Sequence, residues 1–156
     1  MSAELRDEAP DSKASQALFG EYLALVRERL GAGFVPTERI FASHDAFGAP
    51  GAAWVVAYEH GRPVGCGGLR PLEPGVAEIK RMFVTAGARG RGLGRQLLRE
   101  LERRAEAGGS RRVRLLTTEV LAEAIALYEA EGYEVLEHVG RPGEPVKIWL
   151  EKQIYS

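Results

Sequence analysis

The segment Val84-Thr85-Ala86-Gly87-Ala88-Arg89-Gly90-Arg91-Gly92-Leu93-Gly94-Arg95 alternates glycine with arginine just ahead of a leucine-patterned stretch. Glycine at 90, 92 and 94 removes Cβ atoms, so the backbone there can turn tightly and approach a ligand closely. If a helix begins near Leu93, its first amides have no partner within the helix, and the positive end of the helix dipole backs them. With Arg89, Arg91 and Arg95 beside it, such a turn suits a phosphate or pyrophosphate. Spacing excludes two common nucleotide motifs. A P-loop needs Gly-Lys-Ser/Thr, which occurs nowhere in the chain, and a dinucleotide fingerprint through Gly90 and Gly92 needs glycine where Arg95 stands. The alternative without a ligand is a tight strand-to-helix turn.

Two further residues stand out. Leu121, Ala124, Ile125 and Tyr128 share one helical face, which turns Tyr128 inward. Taken alone, Tyr128 reads as a core tyrosine with its hydroxyl satisfied; in a site, a phenol of pKa about 10 is still protonated at neutral pH and available as an acid. Glu78 lies in Ala77-Glu78-Ile79-Lys80-Arg81-Met82-Phe83-Val84, a charge within an otherwise apolar strand. That placement is costly unless the carboxylate is paired or faces a cleft. Lys80, Arg81 and Arg70 are the candidate partners, and Arg81 could equally orient an acidic group on a substrate. Cys66 reads as a small buried strand residue and not as a nucleophile. His44 falls in a long loop; His60 and His138 receive no role.

The elements that must hold these residues follow from periodicity. Leu18, Tyr22, Leu25 and Val26 give a helix from about Ser15 to Leu30, stopped by Gly31 and Gly33. Residues 31–52, rich in Gly, Pro, Ser and Asp, read as a long loop. Three strands then follow: Ala53–Glu59, Pro63–Leu69 after the turn His60-Gly61-Arg62, and Val76–Val84 after a turn at 71–75. A helix from Leu93 to Ala107 buries Leu93, Leu97, Leu98, Leu101 and Ala105 and ends at Gly108-Gly109. The chain closes with a strand 112–117, a helix 122–131, a strand 133–139 and a strand 146–153; a short strand around Glu4–Asp7 is also expected. The order predicts an α/β chain, with a mixed, mostly antiparallel sheet of about six to seven strands flanked by helices.

Arg89-x-x-Gly92-x-Gly94, after a strand ending at Val84 and before a Leu-rich helix, resembles the Q/R-x-x-G-x-G/A signature of the GNAT acyltransferase superfamily. Leu127-Tyr128-x-x-x-Gly132-Tyr133 resembles its second signature. The resemblance implies acetyl-CoA as cosubstrate, with no metal. It places the diphosphate on the main-chain amides around Arg89, Gly90, Arg91, Gly92, Leu93, Gly94 and Arg95, and the pantetheine arm along Phe83 and Val84. It further implies that Val84 N–H polarises the thioester carbonyl, that Tyr128 protonates the departing thiolate, and that Glu78 acts as general base or else as an ion-pair partner. Sheet strands are expected to splay apart near Val84. The chain departs from the family pattern at Leu121, where many members carry asparagine.

Composition narrows the partners. Lys+Arg (21) and Asp+Glu (22) nearly cancel, which gives no overall pull toward nucleic acid. One cysteine rules out an intramolecular disulfide, and no apolar run approaches the roughly 20 residues of a membrane helix. The polar, acidic stretch from Met1 to Ser15 has no apolar signal-peptide core. The expectation is therefore a single cytoplasmic domain, 1–156, with 1–14 loosely ordered. It would act on a small-molecule or peptide amine, with a homodimer implied by the resemblance. The competing readings are a non-catalytic acyl-CoA-binding or sensing domain, and a binder of some other phosphate ligand.

Overall fold

The computed structural model describes residues 3–30, 50–140, 142 and 146–155. Strand β1 (Glu4–Asp7) is followed by helix α1 (Lys13–Leu30), then β2 (Ala53–Glu59), β3 (Arg62–Glu73) and β4 (Val76–Val84). A 3₁₀ turn at Ala86–Ala88 leads to α2 (Leu93–Ala107), β5 (Arg112–Thr118), α3 (Ala122–Ala130), β6 (Glu134–Val139) and β7 (Lys147–Gln153). The strands form one sheet in the order β1-β2-β3-β4-β5-β7-β6. Every neighbouring pair is antiparallel except β4 and β5. This is the mixed, mostly antiparallel sheet expected from the sequence.

Alternation along the strands sends side chains to two cores. Val55, Ala57, Leu69, Ala77 and Ile79 join Leu97, Leu98 and Leu101 of α2 in the larger one. Trp54, Val56, Cys66 and Phe83 meet Leu18 of α1 on the opposite face. Ser12 starts α1, its Oγ accepting the Ser15 N–H at 3.1 Å in the manner of an N-cap. Buried Ser15 in turn accepts the Trp54 Nε1–H at 2.9 Å, which ties the helix start to β2. Gly65 lets α2 sit close to β3: a Cβ there would lie 2.9 Å from Leu97 Cδ1 and 3.0 Å from the Phe83 carbonyl oxygen.

Most boundaries shift by a residue or two from the sequence reading, and the largest difference is at the end of β3. β3 runs through Pro71 to Glu73, so the turn before β4 shrinks to two residues, with Gly75 at φ 79°. Pro71 is tolerated because β2 stops pairing at Leu69, which leaves one side of β3 without a strand to receive an N–H. Of the loop expected over 31–52, residues 31–49 lie outside the described residues, and His44 with them.

Candidate active site

β4 and β5 pair only over Val76–Ile79 and Arg112–Leu115, although β4 continues to Val84 and β5 to Thr118. Beyond Ile79 the two strands part. On its other edge β4 stays bonded to β3, where Thr85 N–H donates to Val64 O at 2.9 Å. Because successive strand amides point to opposite sides, Val84 N–H and C=O face away from β3 and into the gap. There Val84 O accepts the Arg89 Nε–H at 3.0 Å. Arg89 also lies 5.8 Å over the Phe83 ring, so it folds the turn back onto the strand end.

The glycine segment closes the gap from one end. Gly90 and Gly92 take φ of 82° and 80°, left-handed values that a side chain would strain. Gly92 is the residue before α2 and offers no side-chain cap; the first helical bond is Gln96 N–H to Gly92 O at 3.0 Å. The amides of Leu93, Gly94 and Arg95 therefore have no helical acceptor. Gly94 sits against α3, where a Cβ would come 3.0 Å from Leu127 Cδ2.

These parts border one cavity of about 480 Å³, which extends to Tyr128 on α3 and to Tyr22 on α1. Tyr128 is buried, with its ring 5.9 Å from that of Tyr133. Burial pushes its phenol well above the usual range, so it stays protonated through neutral and mildly alkaline pH. Burial also raises the Tyr22 phenol, an effect that the nearby Arg81 guanidinium opposes. Tyr22 packs edge-on against Phe83, centroids 6.0 Å apart.

The site residues expected from sequence thus fall into two groups. Val84, Phe83, Arg89, Gly90, Gly92, Leu93, Gly94, Arg95 and Tyr128 line the cavity together. Arg91 does not line it and is instead held by Glu59 at 2.6 Å, while Arg95 and Arg99 share Glu131 at 3.3 and 2.8 Å. Glu78 is set apart: it is 1% exposed, does not border the cavity and pairs with Arg70 Nε at 2.6 Å. Cys66 is buried, its thiol pushed up to about 12 by desolvation, and it donates to Arg81 O at 3.6 Å. Leu121, at the position of the family's asparagine, is part of the wall.

Sequence reasoning missed Tyr22, Leu25 and Glu123 as cavity residues. Arg29 binds Glu123 at 2.6 Å and donates to Val120 O at 3.0 Å, which pins the end of α1 beside the start of α3. Nothing in the α1 sequence alone distinguishes Tyr22 from its other apolar positions. Among the described residues, no group of three or more His, Cys, Asp or Glu is placed to hold a metal ion. Nor is any described helix long and apolar enough to cross a membrane.

A sheet split at its one parallel pair, with an amide facing the split and a glycine turn at its end, defines a class. The chain matches the acetyltransferase (GNAT) family over residues 20–133 and belongs to that family. Among its relatives, the uncharacterized N-acetyltransferase YjgM of Escherichia coli is 39% identical over 99 residues, 61% of this chain and 59% of that protein. The chain thus spans less than two thirds of that relative's length. The IAA acetyltransferase of Azospirillum brasilense is 37% identical over 107 residues, 67% of this chain and 70% of that protein. A GNAT-family acetyltransferase of Staphylococcus aureus superposes with a TM-score of 0.78 at 15% identity, covering 97% of this chain and 100% of that one. One from Elizabethkingia anophelis, solved with acetyl-CoA bound, gives 0.72 at 16% identity, covering 97% and 98%. At these identities the likeness is one of fold.

Proposed function

We propose that this protein is an N-acetyltransferase that moves an acetyl group from acetyl-CoA to a primary amine of a small molecule or peptide by direct attack. The observation that carries this reading is the meeting of Val84 N–H, the unpaired amides of Leu93 to Arg95 and the Tyr128 hydroxyl around one cavity. The residues fit the ligand's parts. Amides at a helix start suit a diphosphate, and the apolar walls of Leu93, Leu121 and Leu127 suit a pantetheine arm. A relative named as an N-acetyltransferase, another named as an IAA acetyltransferase, and a like-folded protein with acetyl-CoA bound support an acetyl-CoA-dependent assignment.

Acetyl-CoA supplies the acetyl group as a thioester, whose carbonyl carbon the amine attacks. Val84 N–H, fixed by the β3 pairing on its other edge, donates to the carbonyl oxygen as negative charge develops there. The C–N bond forms and the C–S bond breaks. Tyr128 gives its proton to the leaving sulfur and recovers one from water, while the amine's proton leaves to water. Glu78 acts in this reading through its ion pair with Arg70, since it is buried away from the cavity. A cytoplasmic setting and assembly as a homodimer complete the proposal; size-exclusion chromatography with light scattering tests the latter.

The test is thermal stabilisation by acetyl-CoA, with dephospho-CoA, ATP and NAD beside it, followed by thiol release with an amine panel. At a hundredfold excess over Kd, binding adds about 2.7 kcal/mol, or several degrees at roughly 2–4 °C per kcal/mol. A selective shift with thiol release supports the enzyme. A shift with no turnover of any amine makes the chain an acyl-CoA sensor, and no shift removes the site assignment.

A further inference from the structure

The cavity draws its walls from both faces of the sheet. Val84, Leu93, Leu127 and Tyr128 belong to the core on the α2 side, whereas Tyr22, Leu25 and Phe83 belong to the core under α1. It therefore passes through the sheet, at the gap that opens where β4 and β5 part after Ile79. A bulge sets the two walls. Ala77 and Ile79 point into the α2 core, so strict alternation would send Phe83 there as well. Instead Gly68 pairs with Lys80 and Cys66 with Phe83, so β4 spends one residue more than β3 over this step. The extra residue reverses the faces: Phe83 turns to α1, while Met82 and Val84 turn to α2. Arg81 lies in that step at φ 58°, a left-handed value uncommon for a residue with a side chain. Backbone strain of this kind gathers at working sites.

Phe83, so turned, fixes Tyr22. The Tyr22 ring stands edge-on to Phe83 with centroids 6.0 Å apart and stacks on Phe19 at 6.2 Å. Its hydroxyl has no hydrogen-bond partner among the described residues, and it is not sealed in either. The enclosed side-chain oxygen without a partner among those residues is Thr118 Oγ1. Burial raises the Tyr22 phenol, so its oxygen does not stand in open solvent. In a residue that borders the cavity, an oxygen neither enclosed nor in bulk water faces the cavity itself. The Tyr128 phenol, raised first by its own burial, is raised further by Tyr22, which puts the two hydroxyls near one another across the gap.

The two faces divide the reaction. The unpaired amides of Leu93, Gly94 and Arg95 start α2, so a diphosphate held there puts the acyl donor on the α2 face. A nucleophile reaches the carbonyl carbon from the side that the donor leaves open, which is the side of Tyr22. We infer that Tyr22 is a further catalytic residue, whose hydroxyl oxygen accepts a hydrogen bond from the attacking amine and turns the amine's lone pair toward the thioester carbon. The inference rests on the acetyltransferase reading above and adds a residue to that site. The C–N bond forms, the C–S bond breaks, Tyr128 protonates the sulfur, and the amine's proton leaves to water. Tyr22 itself neither gains nor gives up a proton. Its hydrogen bond strengthens as the nitrogen becomes positive, so it favours the transition state over the bound amine.

The test is thiol release from acetyl-CoA with three primary amines: a simple alkylamine, an amino acid and a short peptide. Tyr22→Phe keeps the ring between Phe19 and Phe83 and removes the oxygen alone. Its melting temperature and its thermal shift with acetyl-CoA should match the parent. For each amine that the parent accepts, kcat/KM should fall about 10–100-fold, with a loss that persists in kcat at saturating amine. Tyr22→Leu, which also removes the ring, should lose at least as much and melt lower. Turnover by Tyr22→Phe within about threefold of the parent overturns the inference and makes the ring a wall only. A loss confined to the acetyl-CoA shift overturns it too, by assigning the oxygen to the acyl donor. So does a Tyr22→Phe that fails to fold, because an oxygen awaiting a ligand holds no fold together. Parent turnover beside an unimpaired Tyr22→Phe leaves the acetyltransferase reading standing; no acetyl-CoA shift, or a shift with no amine turned over, removes both.

Discussion

Replacing Tyr128 with phenylalanine separates the chemistry of this residue from its packing. The ring, buried against Tyr133 at 5.9 Å, is retained, and what disappears is a hydroxyl with no hydrogen-bond partner among the described residues. Stability near neutral pH should therefore change by less than about 1 kcal/mol. If Tyr128 protonates the leaving thiolate, kcat should fall about 10²–10⁴-fold, or roughly 2.7–5.5 kcal/mol of barrier. The KM for acetyl-CoA should move little. The same variant has a signature in alkali. The folded phenol is raised by burial, so its stabilising effect is complete below the unfolded-state value of about 10. It is lost as pH climbs from there toward the folded value, because only the unfolded chain gives up the proton. At about pH 11 the loss from this one group is about 1.4 kcal/mol. Tyr128→Phe should escape it, melting roughly 3–6 °C higher relative to the parent at that pH than near neutrality. The assays are thiol release at about pH 8 and thermal melts at both pH values. A kcat within about threefold of the parent would refute the acid role, and an unchanged alkaline difference would refute the burial argument beneath it.

Glu78→Gln should weaken the fold by about 1–3 kcal/mol, since it discharges the buried partner of Arg70. It should reduce kcat less than about tenfold; a loss of 10² or more with a shifted acid limb of the pH–rate profile would instead make Glu78 the base. Glu102→Ala removes the buried carboxylate that accepts from Tyr133 Oη at 2.8 Å and from Lys152 Nζ at 3.1 Å. Denaturant titration should show a loss of about 2–3 kcal/mol, below that of a fully enclosed pair because Lys152 is partly exposed. Gly65→Ala brings a methyl group to 3.0 Å from the Phe83 carbonyl oxygen, which the β3–β4 pairing holds in place. It should cost about 1–3 kcal/mol by overpacking, read as a melting temperature lower by several degrees.

The order of elements and the glycine turn were legible in the sequence because both are local. Leu93, Leu97, Leu98, Leu101 and Ala105 repeat at helical spacing, and the same residues form the buried face of α2. Glycine at 90 and 92 marks the left-handed turn that delivers α2, and Arg89, Gly92 and Gly94 of the Arg89-x-x-Gly92-x-Gly94 pattern all border the cavity. Tyr128 was legible as an inward residue for the same periodic reason. What only the tertiary structure decided is long-range pairing and its failures. No local pattern states that β4 and β5 lie parallel and stop pairing at Ile79, yet that stop opens the gap faced by Val84 N–H. Glu78 had three candidate partners within reach of its strand, and the antiparallel register of β3 selected Arg70. The bulge at Arg81 arises because β4 takes one residue more than β3 between two paired positions, a mismatch that belongs to neither strand alone. Tyr22 enters the cavity wall because Arg29 anchors α1 to α3 across the gap, a contact between residues 94 apart in the chain. Periodicity sets which face of an element is buried; register and packing between distant segments set which side chains meet.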